Sequence, residues 1–142
     1  MSLTVRSVWS LATAFPLTLL GAVVLVLAFD TIGALICARN PRLAYRNLWP
    51  LQFALYLVIG FVAGVTVLDP RYVGAIGAVT GLVEATLGWA ITWRIGPGRI
   101  EGANTAAFVT VALSMTAVGF GLSLIGYVIF AQLARVFMAA QH

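Results

Sequence analysis

Four apolar stretches, each long enough to cross a lipid bilayer, constrain the fold of this chain more than any other feature. A membrane-spanning helix needs about 20 mostly apolar residues, and the stretches cover residues 14–38, 48–68, 72–93 and 104–130. Each break between them contains a proline next to an asparagine, aspartate or glycine, residues typical of turns: Asn40-Pro41, Asp69-Pro70 and Gly96-Pro97-Gly98. The sequence therefore predicts an all-α polytopic membrane protein, in which residues 1–142 form a single domain of four transmembrane helices in a bundle.

The segment before the first stretch is expected to lie in the membrane interface. Arg6 followed by an apolar run resembles a secretory signal sequence, but the run is too long for a signal h-region and no small-x-small site closes it cleanly. We therefore predict a retained first helix that starts near residue 14. Pro16 then falls in its first turn, where the missing N–H costs nothing.

The charge balance points to a membrane rather than to nucleic acid. Charged residues make up 8% of the chain, against about 25% in soluble domains. The net charge of +4 comes from arginines alone, and no basic run alternates with aromatic residues as in a nucleic-acid-binding surface. We expect the lipid bilayer and its anionic headgroups to be the partner of this charge, and no nucleic acid.

Motifs for catalysis or cofactor binding are absent from the sequence. It contains no Ser/His/Asp set, phosphate-binding loop or CxxC pair. Cys37 is the only cysteine and His142 the only histidine, which argues against a metal cluster or a haem inside the bundle. We predict that the protein is not an enzyme and has no metal and no required cofactor; a bound lipid or pigment is compatible with the sequence.

The arginines are distributed unequally between the two sides of the predicted bundle. Five arginines lie in the loops after the first and third stretches, and we call this side of the bundle the arginine-rich side: Arg39, Arg42, Arg46, Arg94 and Arg99. The other side has three: Arg6, Arg71 and Arg135. Because basic residues accumulate in cytoplasmic loops, we expect the arginine-rich side to face the cytoplasm. Both termini would then be non-cytoplasmic.

Two acidic residues lie deep inside the apolar stretches. Asp30 precedes Arg39 by nine residues and Glu84 precedes Arg94 by ten, which places each acid about 14–15 Å inside the arginine boundary and near the middle of the bilayer. A charge at that depth costs about 2.5–3.5 kcal/mol on insertion scales and is usually functional. No arginine or histidine lies within a stretch as a counter-ion, so we expect at least one acid to be protonated at neutral pH.

Small residues surround these acids at helical spacing and predict close helix contacts. The glycines predicted to pack against neighbouring helices are Gly60, Gly64, Gly74, Gly77, Gly81 and Gly88. Gln52 and Tyr56 share a face with Gly60 in the second stretch. Together with Thr116 and Ser123 in the fourth stretch, they are the expected hydrogen-bond partners of Asp30 and Glu84.

The first and third stretches share a pattern that suggests a two-helix internal repeat. Each has an acid, then a glycine, an arginine and a proline. The offset is 54 residues at the acids and 55 at the glycines, Gly33 and Gly88. A repeat of two helices preserves direction across the membrane, so both acids would lie at the same depth. Chance similarity between apolar segments explains the pattern equally well, and the second and fourth stretches match poorly.

The segment GLVEATLGWAI at 81–91, followed by Gly96-Pro97-Gly98, resembles uncharacterised four-helix membrane proteins of cyanobacteria. The resemblance implies a plasma or thylakoid membrane and allows an association with photosynthetic machinery. In size and helix number the chain is also similar to small multidrug-resistance transporters. Their functional glutamate lies in the first helix, where this chain has Asp30, and here a second acid lies in the third, so we do not assign that family.

Two functions from different classes fit these observations. The first is a non-catalytic small membrane subunit, or an accessory or assembly factor, of a larger membrane complex, photosynthetic or respiratory. Its small-residue faces would bind other membrane subunits or a second copy of the chain. The alternative is a homo-oligomeric proton- or cation-coupled small transporter or channel that uses Asp30 and Glu84. Structural pairing of the acids is weighted above transport, because few polar residues lead from Glu84 toward the side of Arg71.

Overall fold

The computed structural model describes residues 3–40, 42–96 and 104–141, with side chains from residue 13 onward. Within these ranges the chain is helical and has no strand. Five α-helices, a 3₁₀ turn before α2 and a π turn after α3 follow in chain order: α1 Leu3–Arg39, the 3₁₀ turn Tyr45–Leu48, α2 Trp49–Val67, α3 Pro70–Val83, the π turn Glu84–Gly88, α4 Trp89–Ile95 and α5 Thr105–Ala139.

Four segments of the described chain are long and apolar enough to cross a membrane. The third joins α3, the π turn and α4 into one span: Thr13–Arg39, Tyr45–Val67, Pro70–Ile95 and Thr105–Ala139. This confirms the predicted helical bundle and is compatible with an integral membrane protein. Large apolar side chains such as Leu17 and Leu113 are about two-thirds exposed on the outer faces, which fits contact with lipid.

Two helix boundaries differ from the predicted ones. α1 begins at Leu3 rather than near residue 14, so Pro16 lies inside the helix and not in its first turn. Neighbouring helices and local adjustment make such a proline tolerable in membrane helices. α5 continues to Ala139, nine residues past the predicted end, because Gln132 and Arg135 end the apolar stretch without a glycine or proline to end the helix. At 1.5 Å per residue, α5 is about 50 Å long and exceeds the roughly 30 Å hydrocarbon core.

The predicted turns set the starts of two helices. Asp69 caps α3, its carboxylate accepting a hydrogen bond of 2.8 Å from the backbone N–H of Arg71. Asn104 caps α5 in the same way through the N–H of Ala107, at 2.9 Å. These side chains satisfy N–H groups that have no partner within the first helical turn. α2 ends at Leu68, whose φ of 61° is left-handed, and the chain reverses there.

α5 packs along α2 and α3 through glycines that let the backbones approach closely. A methyl group added to Gly60 of α2 would lie on the backbone of Ser123 in α5. One added to Gly81 of α3 would lie on the backbone of Met115. These contacts agree with the small-residue interfaces expected in membrane bundles.

α1 lies at the edge of this three-helix core. In the described chain its backbone contacts α2, α3, the π turn and α4, but not α5. Its buried residue Val26 joins a core cluster with Tyr56 of α2 and Ile76 of α3. The core fills the half of the bundle away from the arginine-rich side, and the other half is open.

Candidate functional site

A cavity of about 510 Å³ lies in the half of the bundle near the arginine-rich side. All four spans contribute to its wall: Asp30 comes from α1, Gln52 from α2, Glu84 and Trp89 from the third span, and Met115 from α5. Both predicted intramembrane acids therefore reach one cavity. Their positions in separate spans bring them together only when the bundle forms.

The cavity exists because the helices that surround it diverge. In the part of the chain that the structure describes, the backbone of α4 contacts α1 and the π turn but neither α2 nor α5. Large aromatic side chains bridge part of the gap: the rings of Trp89 and Phe108 stack with centroids 5.3 Å apart. The space left between α2, α4 and α5 is the cavity.

Asp30 is 1% exposed and has two different oxygen environments. Its Oδ1 accepts a hydrogen bond of 2.8 Å from the hydroxyl of Tyr45, in the 3₁₀ turn. Its Oδ2 is buried and has no hydrogen-bond partner in the structure. An unsatisfied buried oxygen costs about 1–3 kcal/mol, more when it is charged, so Oδ2 is the atom of this site that most lacks a donor or a cation.

Glu84 is also buried and is the first residue of the π turn. Its Oε2 accepts a hydrogen bond from the hydroxyl of Tyr56, whose side chain has no exposed surface. Glu84 and Asp30 line the same cavity and both lie against Gly88. The site therefore consists of two carboxyl groups, each held by one tyrosine hydroxyl.

Gly88 lets the two acids meet at one level of the bundle. A methyl group added there would contact Oδ2 of Asp30 and would lie 3.4 Å from Cγ of Glu84. Both side chains thus pack on the same small residue at the end of the π turn. This agrees with the expectation that the acids share a depth.

The π turn explains a detail of the sequence repeat. Three residues separate Asp30 from Gly33, whereas four separate Glu84 from Gly88. A π turn, with hydrogen bonds from i to i+5, takes up one more residue than an α-helical turn, and such turns are frequent at functional sites. The added residue lies where the third span has its π turn, which gives the changed offset a structural cause; the repeat itself stays a prediction.

The cavity extends from the acids to the arginine-rich loop, and the packed core lies on the other side of the acids. Tyr45, Arg46 and Trp49 line it from the 3₁₀ turn and the start of α2. Beyond the acids, Ile76 fills the core without exposed surface. Thr80, also buried there, donates its hydroxyl to the backbone carbonyl of Ile76 at 2.6 Å.

The predicted polar partners divide into three groups. Tyr56 binds an acid as expected, and Gln52 lies in the cavity wall. Thr116 does not reach an acid: its hydroxyl donates to the carbonyl of Ala112 in its own helix at 2.7 Å. Ser123 is likewise directed elsewhere, to the carbonyl of Tyr56 at 3.5 Å.

All six predicted packing glycines are buried and closely approached. Five of them face α5 and one faces Asp30: Gly60, Gly64, Gly74, Gly77 and Gly81, and then Gly88. The residue that sequence reasoning missed is Tyr45. It belongs to the arginine-rich loop after the first stretch, and its hydroxyl donates to Asp30, fifteen residues earlier in the chain.

The donor set of the site does not resemble a metal centre. In the described ranges no three His, Cys, Asp or Glu side chains come together in a way that would hold a metal ion. Comparison of the chain with protein-family models, with curated proteins and with solved structures gives no match. The cavity and its two acids are therefore the features of this chain that bear on its function.

Proposed function

We propose that the protein is a small membrane carrier that exchanges protons for a cation at Asp30 and Glu84. The observation that carries the proposal is the convergence of two acids, from different spans, on one cavity that also reaches the arginine-rich loop. Intramembrane acids that face a cavity are characteristic of proton relays and ion pathways. This is the transport alternative among the functions expected from the sequence.

The exchange follows from the chemistry of the two carboxyl groups. An ionised carboxylate attracts a cation, and a protonated one does not, so a proton and a cation compete for the same oxygens. Tyr45 and Tyr56 donate to one oxygen of each acid and bring no positive charge. Oδ2 of Asp30, which has no donor, is the oxygen proposed to take the proton or meet the cation.

Access from the other side requires a second arrangement of the bundle. Carriers of this kind alternate by rocking one group of helices against another around a central site. α2, α3 and α5 form the close-packed group, while α1 and α4 contact each other beside the cavity. We propose that α1 and α4 move against the close-packed group, with the π turn at Glu84–Gly88 absorbing the change in direction.

The test is a proton-release assay in proteoliposomes with an acidic, pyranine-loaded lumen. Sodium, potassium and tetramethylammonium chlorides are added outside in separate runs. At least one cation should make the lumen alkaline faster than in protein-free vesicles, and the double variant Asp30→Asn/Glu84→Gln should lose this response. Asp69→Asn is the matched control, because it removes an acid outside the cavity and keeps the helix cap. Benzyltrimethylammonium chloride is added in a fourth run, and no response above empty vesicles with any of the four cations, or a full response from the double variant, refutes the carrier.

The predicted role as a subunit or assembly factor is kept as a second candidate because of the end of α5. Val136, Phe137 and Met138 are at least 60% exposed on a helix longer than the bilayer is thick. Such a surface fits contact with another membrane subunit or with a second copy of this chain. Native mass spectrometry after mild solubilisation distinguishes these cases: a single unaccompanied chain would contradict the subunit role.

A further inference from the structure

We infer that the cavity binds an organic cation with a single positive charge and an apolar, preferably aromatic, body. The ammonium group would lie beside the carboxyl group of Asp30, and the body against Trp49 and Trp89, which line the same cavity. This inference names the ligand class of the carrier proposed above and rests on that proposal only for transport. Binding is tested separately.

The charged end of the ligand is specified by the buried acids. Oδ2 of Asp30 is the one buried side-chain oxygen or nitrogen in the described residues that has no hydrogen-bond partner. Asp30 belongs to the cavity wall and is 1% exposed, and its Oδ2 packs against Gly88. Glu84 stands beside it, and both have neutral tyrosine donors rather than positive partners. A buried carboxylate in this position is stabilised by a cation brought in by a ligand.

The body of the ligand is specified by the wall. Trp49 and Tyr45 line the mouth, Trp89 stands opposite on α4, and Val111 and Met115 complete the apolar surface on α5. Aromatic faces near a carboxylate are the arrangement that recognises alkylammonium groups through cation–π attraction. A cavity of about 510 Å³ lies within the range of roughly 300–1,000 Å³ for small-molecule sites.

The same wall disfavours a bare metal ion. Hard cations such as Mg²⁺ and Ca²⁺ take about six to eight oxygen ligands. The cavity supplies two carboxyl groups, each already accepting a tyrosine hydroxyl, together with the amide of Gln52. With so few oxygens available, the cavity fits a monovalent organic cation better than a hard divalent ion.

The test is equilibrium dialysis of radiolabelled benzyltrimethylammonium against the protein in lipid nanodiscs, with empty nanodiscs as background. The charge of this probe does not titrate, so any change in binding belongs to the protein. Saturable binding is expected. The carbon isostere (2,2-dimethylpropyl)benzene has the same shape without the charge and should not displace the probe at equal concentration. Displacement by the isostere would overturn the inference.

Three variants locate the probe in the cavity. Asp30→Asn keeps the shape of the side chain and should weaken binding at least about tenfold. Trp49→Ala should weaken it by about two- to fivefold, and Trp49→Phe should restore most of this loss. Asp69→Asn should leave binding unchanged. Absence of saturable binding by the parent protein, or equal binding by Asp30→Asn, overturns the inference.

The two proposals fail in different ways. If sodium or potassium drives proton release while benzyltrimethylammonium does not bind, the ligand class is wrong and the carrier stands. If the probe binds and depends on Asp30 but no cation drives proton release, the ligand class stands and the carrier is wrong.

Discussion

Adding one methyl group at Gly81 should separate two helices that now touch. A methyl carbon there would lie 2.8 Å from the carbonyl carbon of Met115 and 3.1 Å from the Cα of Thr116. Ordinary contacts between carbon atoms are about 3.5–4.0 Å. Because the atoms are backbone, no side chain can turn away, and α3 and α5 must move apart by an amount on the order of 1 Å.

Replacing glycine by alanine should lower the free energy of unfolding at Gly81 and raise it at Gly21. Alanine in place of glycine inside a helix gains about 0.5–1 kcal/mol. Overpacking a close contact costs typically about 1–3 kcal/mol, so Gly81→Ala should be destabilising by roughly 1–2 kcal/mol. A methyl group added to Gly21 of α1 has nothing within 4 Å, so Gly21→Ala should keep the full helical gain. The two variants should differ in sign.

Reversible unfolding measures this difference directly. The purified protein is titrated from mild detergent into SDS, and helix content is followed by circular dichroism. Gly121→Ala is the control within α5, because that position also has nothing within 4 Å. Leucine enlarges the contrast: Gly81→Leu should yield little folded protein, whereas Gly21→Leu should fold. Equal changes in unfolding free energy for Gly81→Ala and Gly21→Ala would refute the helix contact on which the bundle argument depends.

Three further predictions concern the acids and the orientation. Glu84→Gln keeps an oxygen that can accept the hydrogen bond from the tyrosine hydroxyl, so it should change the free energy of unfolding by less than about 1 kcal/mol. Glu84→Leu removes this oxygen and should cost about 1–3 kcal/mol in the same SDS titration. A severe loss of stability in the glutamine variant would show that Glu84 is instead a charge paired with a cation. Gly88→Ala places a methyl group on Oδ2 of Asp30 and should weaken benzyltrimethylammonium binding at least as much as the change of Asp30 itself; unaltered binding would separate this oxygen from the site. Cysteines at Asn47 and Asn104, in a background without the native cysteine, should react with an impermeant thiol reagent only after cells are permeabilised; reaction of both in intact cells would reverse the predicted orientation.

The sequence predicts the helices of this protein and the direction of its acids, because both depend on local rules. Apolar length locates each span, and small residues at helical spacing mark the faces that meet. Glu84 therefore points into a helix interface, as its glycine neighbours indicated, and Tyr56 of the neighbouring span reaches it. The predicted turn at Asp69-Pro70 and the predicted start of the fourth stretch at Asn104 coincide with the two N-caps that the structure shows.

Tyr45 and the cavity are less accessible to sequence reasoning, because they depend on how the spans diverge. A tyrosine in an arginine-rich loop reads as an interfacial residue. Its return to Asp30 depends on the 3₁₀ turn that begins α2. The volume of the cavity depends on the packing of α4 against α1 rather than against α2 and α5. The spacing of apolar and small residues along a helix does not predict the angle at which two helices cross, so the cavity could not be predicted from it.

The two acids occupy equivalent positions in the sequence pattern but have different hydrogen-bond partners in the structure. Glu84 is held by a tyrosine that is fully buried in the core of α2, so its proton can exchange only through the cavity. Asp30 is held by a tyrosine of the 3₁₀ turn at the mouth of the cavity, and its second oxygen has no donor. Tyr45 therefore links the arginine-rich loop directly to Asp30, whereas the hydrogen bond of Glu84 runs to the core. In the proposed exchange Asp30 is the entry site, and Glu84, at the start of the π turn, couples occupancy of that site to the direction of α4.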